Sequence, residues 1–162
     1  MMVGIMADSH DAMPAVTAAI ALFKERGVSL ILHAGDIVAP FAARLLAESG
    51  IPTVAVFGNN DGEKPGLARV LGDIHEPPAL LEPGGVRTVL AHSDDQFGGL
   101  AAPVMIAGHT HKAEIRTQNG VTFINPGECC GYLSGRRTVV IWDTEPMTLD
   151  RKSTRLNSSH VS

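Results

Sequence analysis

Short segments rich in metal-ligand residues recur along this chain, and each directly follows an apolar run that is typical of a buried strand. They are DSH at residues 8–10, GD at 35–36, GNND at 58–61, AH at 91–92 and GHTH at 108–111. Ligands of open α/β sheets bind at the carboxyl ends of the strands. The sequence therefore predicts a shared site for the following side chains: Asp8, His10, Asp36, Asn59, His92, His109 and His111.

The donor atoms of this set indicate divalent metal ions. Imidazole nitrogens with carboxylate and amide oxygens, and no thiolate, suit Mn²⁺, Fe²⁺, Co²⁺, Ni²⁺ or Zn²⁺. Side chains two positions apart in an extended chain share a face, so Asp8 can act with His10, and His109 with His111. A turn alone would explain GNND, but it does not explain the whole set.

The elements that must position these residues alternate in the first half of the chain. Strands are predicted at residues 3–7, 30–33 and 53–57, with helices between Asp11 and Gly27, at 39–49 and around 66–71. This alternation implies parallel pairing with right-handed crossovers, and thus an α/β fold in two or four layers. The second half is strand-rich, with strands predicted at 87–91, 103–107, 112–117, 121–125 and 138–142 and a hairpin turn at 118–120.

Composition excludes several other classes of protein. With 162 residues the chain is long enough for one domain, and a net charge of −4 argues against general nucleic-acid binding. No apolar run approaches the length of a membrane span, and the N-terminal strand lacks the basic flank of a signal peptide. Cys129 and Cys130 are neighbours and form no disulfide framework. A cytoplasmic location is therefore expected.

The C-terminal residues DRKSTRLNSSH at 150–160 break sharply from the apolar strand before them. They can be back-translated into a common sequencing-adapter sequence. We therefore predict a domain over residues 1–149 with a truncated natural C-terminus, followed by a non-native tail over 150–162. A genuine polar tail is the alternative. His160 is accordingly not counted as a metal ligand.

Taken in order, the motifs DSH, GD, GNND, H and GHTH resemble those of the calcineurin-like metallophosphoesterases, in particular the small single-domain bacterial and archaeal phosphodiesterases. The turn at residues 125–127 adds to this resemblance, which covers nearly the whole chain before the tail. The resemblance implies a β-sandwich flanked by helices, with a dinuclear metal site at the carboxyl ends of the strands.

The same resemblance implies ligand roles for the matching positions. The ligands of one ion would be Asp8, His10, Asp36 and His111, and those of the other would be Asp36, Asn59, His92 and His109. Asp36 would bridge the two ions, which lie ~3.5–4 Å apart in such sites and turn a shared water into hydroxide that attacks phosphorus. Mn²⁺ is the favoured cofactor. The expected catalytic residues are Asp36, Asn59, Asn60 and His92.

Two features depart from the resemblance. Many relatives have histidine where this chain has Asn60, and an amide cannot supply a proton to a leaving group. Weaker catalysis on esters with basic leaving groups is therefore expected. Relatives also usually have a helix in the segment that residues 93–102 occupy here. This segment is short for a parallel crossover, so we expect a turn in place of the helix. Without the helix, the site should be more open and His92 should be held less firmly. Asp94 and Asp95 are expected to be solvated.

Other chemistry-bearing residues have less specific interpretations. His33, which ends a strand near Asp36, could orient a ligand, but we interpret it first as a packed or solvated histidine. His75 is predicted to lie at the surface. The two cysteines are interpreted as small core residues. Glu128 has no predicted role.

Metal-dependent hydrolysis of a small or nucleotide-like phosphodiester is the leading functional hypothesis. A phosphomonoesterase or nucleotidase would use the same residues. A catalytically weak scaffold similar to the retromer subunit is a second alternative, although the four candidate histidines are intact. We expect a small phosphoester substrate and no membrane partner, and self-association stays open. Aromatic side chains that could stack on a substrate are Phe97, Tyr132 and Trp142, although core packing explains Trp142 equally well.

Overall fold

The computed structural model describes residues 1–154 and contains two β-sheets packed face to face. The first sheet is built on four parallel strands, β1 (Met2–Met6), β2 (Leu30–His33), β3 (Thr53–Val56) and β4 (Ile74–His75). Three helices connect them, α1 (Met13–Glu25), α2 (Pro40–Ala47) and α3 (Lys64–Leu71). The predicted alternation and parallel pairing are confirmed.

The second sheet comes from the middle of the chain. Its strands are β5 (Ala79–Leu81), β6 (Thr88–Leu90), β7 (Val104–Ile106), β8 (Glu114–Gln118) and β9 (Val121–Asn125), in the order β5-β6-β7-β9-β8. Strands β6, β7 and β9 are parallel, so their carboxyl ends lie at one edge. The chain then returns to the first sheet as β10 (Thr138–Asp143), which pairs antiparallel with β1, and β11 (Thr148–Ser153).

Alternation along the strands divides the core into layers. Between the sheets, Val3 and Ile5 of β1 belong to the same buried cluster as Ile106 and Trp142. The intervening positions face the helices, where Phe23 of α1 is fully buried. Burial of these apolar side chains holds the two sheets and the helices in register.

The outer face of the second sheet has a much thinner cover. The connection between β6 and β7 forms only a 3₁₀ turn, Asp94–Phe97, with a capping box between Ser93 and Gln96. Phe97 and Ala102 pack with Met105 of the sheet. The expected reduction of this segment to a turn is confirmed. The two packed sheets with helices on the outer face of the first confirm the β-sandwich flanked by helices that the resemblance implies. The described residues form three layers, helix–sheet–sheet, rather than the two or four that the alternation predicts. A fourth, helical layer is missing because the segment between β6 and β7 is too short to hold a helix.

Local signals in the sequence have mixed outcomes. Gly27 ends α1 with a φ of 72°, and Asn119 and Gly120 have φ angles of 53° and 78°, as a tight hairpin turn requires. Asp11 does not cap α1, because the helix begins one residue later and Ala12 takes the N-cap position without a side-chain bond. The short strands β4 and β5 are not predicted, because runs of two or three residues show no usable periodicity.

Strand β11 extends into the segment that we predict to be a non-native tail. Residues 150–153 pair with β10 through the backbone, which any side chains permit. The rest of that tail, including His160, lies outside the described residues. No helix within residues 1–154 is long and apolar enough to cross a membrane.

The contact between β1 and α1 gives a test of the packing. A Cβ added at Gly4 would lie 2.7 Å from the Phe23 ring, whereas one at Gly62 would meet nothing within 4 Å. We expect Gly4→Ala to lower the free energy of unfolding by about 1–3 kcal/mol through overpacking. Gly62→Ala should change it by less than about 0.5 kcal/mol. Urea denaturation measures both, and equal stabilities of the two variants would contradict this packing.

Candidate active site

The candidate residues follow the carboxyl ends of five strands, β1, β2, β3, β6 and β7, as predicted. Backbone hydrogen bonds join the first two loops, since the Asp8 N–H donates to the Gly35 carbonyl at 3.0 Å and the His10 N–H to the Asp36 carbonyl at 2.8 Å. Five candidate residues adopt positive φ angles that are uncommon outside glycine, namely Asp8, His10, Asp36, His109 and His111. Such strained backbone clusters at functional sites.

One group of side chains gathers around the Asp8 carboxylate. His111 Nε2 lies 3.8 Å from Asp8 Oδ1, and His10 Nε2 lies 3.8 Å from Asp36 Oδ2. Asp8, His10 and Asp36 each offer a ligand atom within 4.8 Å of the others. Asp8 Oδ1 and His10 Nε2 are buried and have no hydrogen-bond partner.

A second group gathers around His92. Its Nε2 lies 2.7 Å from Asn59 Oδ1, 3.2 Å from His109 Nδ1 and 3.5 Å from Asp36 Oδ2. Asp36 Oδ2 is therefore the atom that faces both groups. The structure thus brings together all of the sequence-predicted residues in two clusters that share one carboxylate.

Partners outside the clusters determine which histidine nitrogens carry hydrogen. His92 Nδ1 lies 2.8 Å from the Ala34 carbonyl, which can only accept, so the other nitrogen, Nε2, presents its lone pair. His111 Nδ1 lies 3.0 Å from Glu128 Oε1, which fixes the same tautomer. Lone pairs thus converge at this position, and a cation is the natural partner for them.

The loop that follows β2 is held by a residue to which the sequence analysis gave no role. The carboxylate of Asp61, itself 2 % exposed, accepts backbone hydrogen bonds from Asp36 at 2.9 Å, Val38 at 2.6 Å and Gly58 at 2.7 Å. These bonds fix the backbone at Asp36, and Asn60 holds the Asp36 side chain through Nδ2 at 2.9 Å from Oδ2.

Two glycines of the motifs are required by close approach. A Cβ at Gly58 would collide with the Asp36 carboxylate, and one at Gly108 would lie 2.9 Å from Asp8 Oδ2. Neither position has a positive φ angle. The glycines therefore let the loops pack against the two carboxylates.

Glu128 is the second residue whose role the sequence did not reveal. It is fully buried, and its carboxylate bonds to His111 and accepts the backbone N–H groups of Leu133 and Ser134. Burial by itself would raise the pKa of Glu128, but these hydrogen bonds outweigh it and lower the pKa to about 2. Glu128 therefore stays ionised and orients a candidate ligand.

His33 is fully buried beneath the site, in keeping with its interpretation as a packed histidine, and it bonds to Ser9 and Gly35 beside the candidate ligands. Its Nδ1 accepts the Gly35 N–H at 3.0 Å, so Nε2 carries the hydrogen and donates it to Ser9 Oγ at 2.8 Å. Burial lowers the pKa of His33 to about 3, so it remains neutral. His33 thus links the loops that contain Asp8 and Asp36.

The expectation that His92 is held less firmly is wrong. The side chain is 2 % exposed, its ring bonds to Ala34, and its backbone N–H donates to Gln96 Oε1 at 2.9 Å. The short turn supplies this last bond, so losing a helix has not loosened the ligand. Asp94 and Asp95 are exposed, as expected.

The remaining interpretations concern residues near the site. His75 is exposed and both cysteines are buried, as predicted. Cys130 is nevertheless more than a core residue, because its sulfur lies within 4.8 Å of a nitrogen of His10 and of His111. Burial raises the pKa of its thiol to about 12.

Comparison with known proteins decides the family. The model of the calcineurin-like phosphoesterase superfamily domain matches residues 1–147. The chain belongs to this family. It is 36% identical over 157 residues to a phosphodiesterase of Methanocaldococcus jannaschii, covering 90% of this chain and 94% of the relative. It is 32% identical over 139 residues to a probable metallophosphoesterase of Methanothermobacter thermautotrophicus, covering 78% and 76%.

Solved structures of the phosphoesterase fold agree. An archaeal phosphodiesterase superposes with a TM-score of 0.85 at 32% identity, covering 94% of this chain and 99% of that one. The Escherichia coli phosphoesterase Yfce superposes with a TM-score of 0.76 at 18% identity, covering 96% and 100%, which shows the shared fold. The chain is therefore a phosphoric ester hydrolase of a family that implies divalent metals.

Asp8 gives the first test of the site. Burial, reinforced by the nearby Asp36, raises its pKa from 3.8 to about 7 in the absence of metal. Because this pKa is raised, the contribution of Asp8 to stability is fully present below pH 3.8 and is lost as the pH rises through about 7. Asp8→Asn should therefore raise the free energy of unfolding of metal-free protein at pH 8 by roughly 2–4 kcal/mol.

The control for this change is Asp94→Asn, which alters an exposed aspartate. It should leave stability unchanged. Urea denaturation in a chelator at pH 5 and pH 8 measures all three proteins. An Asp8→Asn protein that is less stable than the wild type at pH 8 would show that the carboxylate is adequately compensated without metal.

Glu128 gives a test with the opposite sign. Its pKa falls from 4.5 to about 2 on folding, so its contribution to stability is present above pH 4.5 and is lost as the pH falls towards 2. Between pH 5 and pH 3, metal-free wild type should lose about 2 kcal/mol more unfolding free energy than Glu128→Gln. Glu114→Gln, at an exposed position, should behave like the wild type. Parallel pH profiles of wild type and Glu128→Gln would contradict the role of this carboxylate.

Proposed function

We propose that this protein is a metal-dependent phosphodiesterase that uses two divalent cations. The Asp8, His10, Asp36 and His111 side chains would hold one cation. The Asp36, Asn59, His92 and His109 side chains would hold the other. Asp36 would bridge them, in keeping with the position of its Oδ2 between the two clusters.

The convergence of unpartnered polar atoms is the observation on which the proposal depends. Asp8 Oδ1 and His10 Nε2 are buried without a hydrogen-bond partner, and Nε2 of His92 presents a lone pair to an amide oxygen. A buried acceptor without a partner is costly. Atoms that ligate one ion at about 2.0–2.2 Å lie roughly 3–4 Å apart, which is the spacing seen here.

Bound cations would supply a hydroxide nucleophile near neutral pH and positive charge for the phosphoryl oxygens. The protein holds the ligands at this geometry through Asp61, Glu128 and Ala34. Mixed nitrogen and oxygen donors suit Mn²⁺, Fe²⁺, Co²⁺, Ni²⁺ and Zn²⁺, and Mn²⁺ is chosen among them because of the family resemblance.

Asn60 lies at the exposed rim, with one amide hydrogen directed at Asp36 Oδ2. Its second amide hydrogen would donate to a phosphoryl oxygen. Because an amide has no proton to give, the leaving group would depart as an anion, and acidic leaving groups would react faster.

Diesters are the proposed substrate class over monoesters. The relative of 36% identity is named a phosphodiesterase, and so is the solved archaeal structure of 32% identity. Small or nucleotide-like diesters fit a chain whose net charge of −4 disfavours binding to long nucleic acids.

The proposal is tested by hydrolysis of bis-(p-nitrophenyl) phosphate and p-nitrophenyl phosphate with metal-free protein to which Mn²⁺ is restored. Turnover of the diester should require Mn²⁺ and should fall at least 10²-fold in His109→Ala, which removes one candidate ligand. His75→Ala is the matched control, because this histidine is exposed on β4 and its ring pairs with Asp73. It should retain wild-type turnover.

Metal content measured by mass spectrometry accompanies the assay. Two equivalents of Mn²⁺ with no turnover of either ester would contradict the enzymatic proposal and favour the scaffold alternative. Faster turnover of the monoester than of the diester would favour the phosphomonoesterase.

A further inference from the structure

The loop that follows Glu128 lies at the rim of the candidate site. Glu128 accepts the N–H groups of Leu133 and Ser134, and the Cys130 N–H donates to the Asp8 carbonyl at 3.2 Å. Of the two residues that accept these bonds, Asp8 is a candidate ligand and Glu128 bonds directly to the candidate ligand His111. The position of this loop is therefore coupled to the position of the candidate ligands.

Two large apolar side chains on this loop are exposed. Tyr132 is 60% exposed and the adjacent Leu133 is 76% exposed. Single exposed apolar residues are common, but here two neighbours lie on a loop that is held beside a polar site by hydrogen bonds to the buried Glu128. We call Tyr132 and Leu133 the rim shelf.

The rim shelf lies directly against a candidate metal ligand. The Tyr132 ring centroid is 5.9 Å from that of His10, with the planes tilted by 48°. The Tyr132 hydroxyl approaches Asp11 Oδ1 at 3.5 Å. The Tyr132 ring therefore lies between a candidate metal ligand and a carboxylate.

The other aromatic candidates from the sequence are unsuited to this task. Trp142 is fully buried between the sheets, and Phe97 is 9% exposed in the thin cover of the second sheet. Among the three, Tyr132 is the one with an accessible face. Stacking on an exposed aromatic ring is tolerant of base identity, since every nucleobase has a π-face.

We propose that the rim shelf binds the planar group of a nucleotide-like phosphodiester, with Tyr132 stacking on the base. This inference rests on the proposed function and names the substrate class of the same site. Asp11 would accept a hydrogen bond from an amino group on the edge of the base. Two side chains offer far less than the area of about 1,000 Å² that a stable protein interface needs, so a small ligand is the better occupant.

Adenosine 5′-phosphate, ribose 5-phosphate and inorganic phosphate are the probes, titrated by calorimetry onto Mn²⁺-loaded protein. The wild type should bind adenosine 5′-phosphate about 10-fold more tightly than ribose 5-phosphate. Tyr132→Ala should reduce this preference to about twofold and leave ribose 5-phosphate affinity unchanged. Tyr132→Phe, which keeps the ring, should restore the preference. Phe41→Ala, at an aromatic residue that is 54% exposed on α2, is the matched control.

Equal affinities of the wild type for the two ligands would overturn the proposal. So would an equal loss of both affinities in Tyr132→Ala, since that would assign Tyr132 a structural role at His10. If Tyr132→Ala fails to fold, Tyr132→Leu, which keeps an apolar side chain without the ring, provides a second test. An unchanged base preference in Tyr132→Leu would also overturn the proposal. Light scattering that shows dimers disrupted by Leu133→Asp would assign the rim shelf to self-association instead.

Binding is measured independently of turnover, so the two proposals fail separately. Base preference without hydrolysis would leave the rim shelf intact and contradict the phosphodiesterase. Metal-dependent hydrolysis of the diester without base preference would support the phosphodiesterase and contradict base binding at the rim shelf.

Discussion

The concentration of hydrogen-bond acceptors at the end of the two sheets is the constraint on which the rest of the structure depends. Asp8, Asp36 and the facing histidine nitrogens repel one another unless something positive lies between them. The backbone resists this repulsion through bonds that radiate from Asp61, Glu128 and His33. A well-packed sandwich beneath supplies the stability that such an arrangement lacks.

The order of the strands explains why the acceptors meet. Parallel strands in both sheets end at the same edge, so loops from distant parts of the chain converge there without long excursions. Strand β10 returns beside β1, and the loop that precedes β10 bonds to the backbone of Ala7 and Asp8. This loop therefore joins the loops of the site.

Much of the fold and of the candidate site follows from local sequence. The ligand residues are visible because each follows a strand of clear apolar character, and Gly27 and the Asn119-Gly120 pair mark their turns by backbone chemistry. Glu128 and Asp61 are not visible in this way, since a carboxylate gains its role from N–H groups that come close only in the folded chain. The error at His92 has the same origin, because the bond from its backbone to Gln96 depends on how a short turn folds back.

The central place of β1 has a consequence for biosynthesis. Strand β1 lies between β2 and β10, so one edge of an early-synthesised strand waits for a partner from residues 138–143. Until that segment leaves the ribosome, this edge is open to pairing with other chains. Glu128, which bonds to His111, is also synthesised late, and so are Cys129 and Cys130, which donate to the carbonyls of Ala7 and Asp8. The nascent chain therefore completes its first sheet and its ligand cluster at nearly the same point of synthesis.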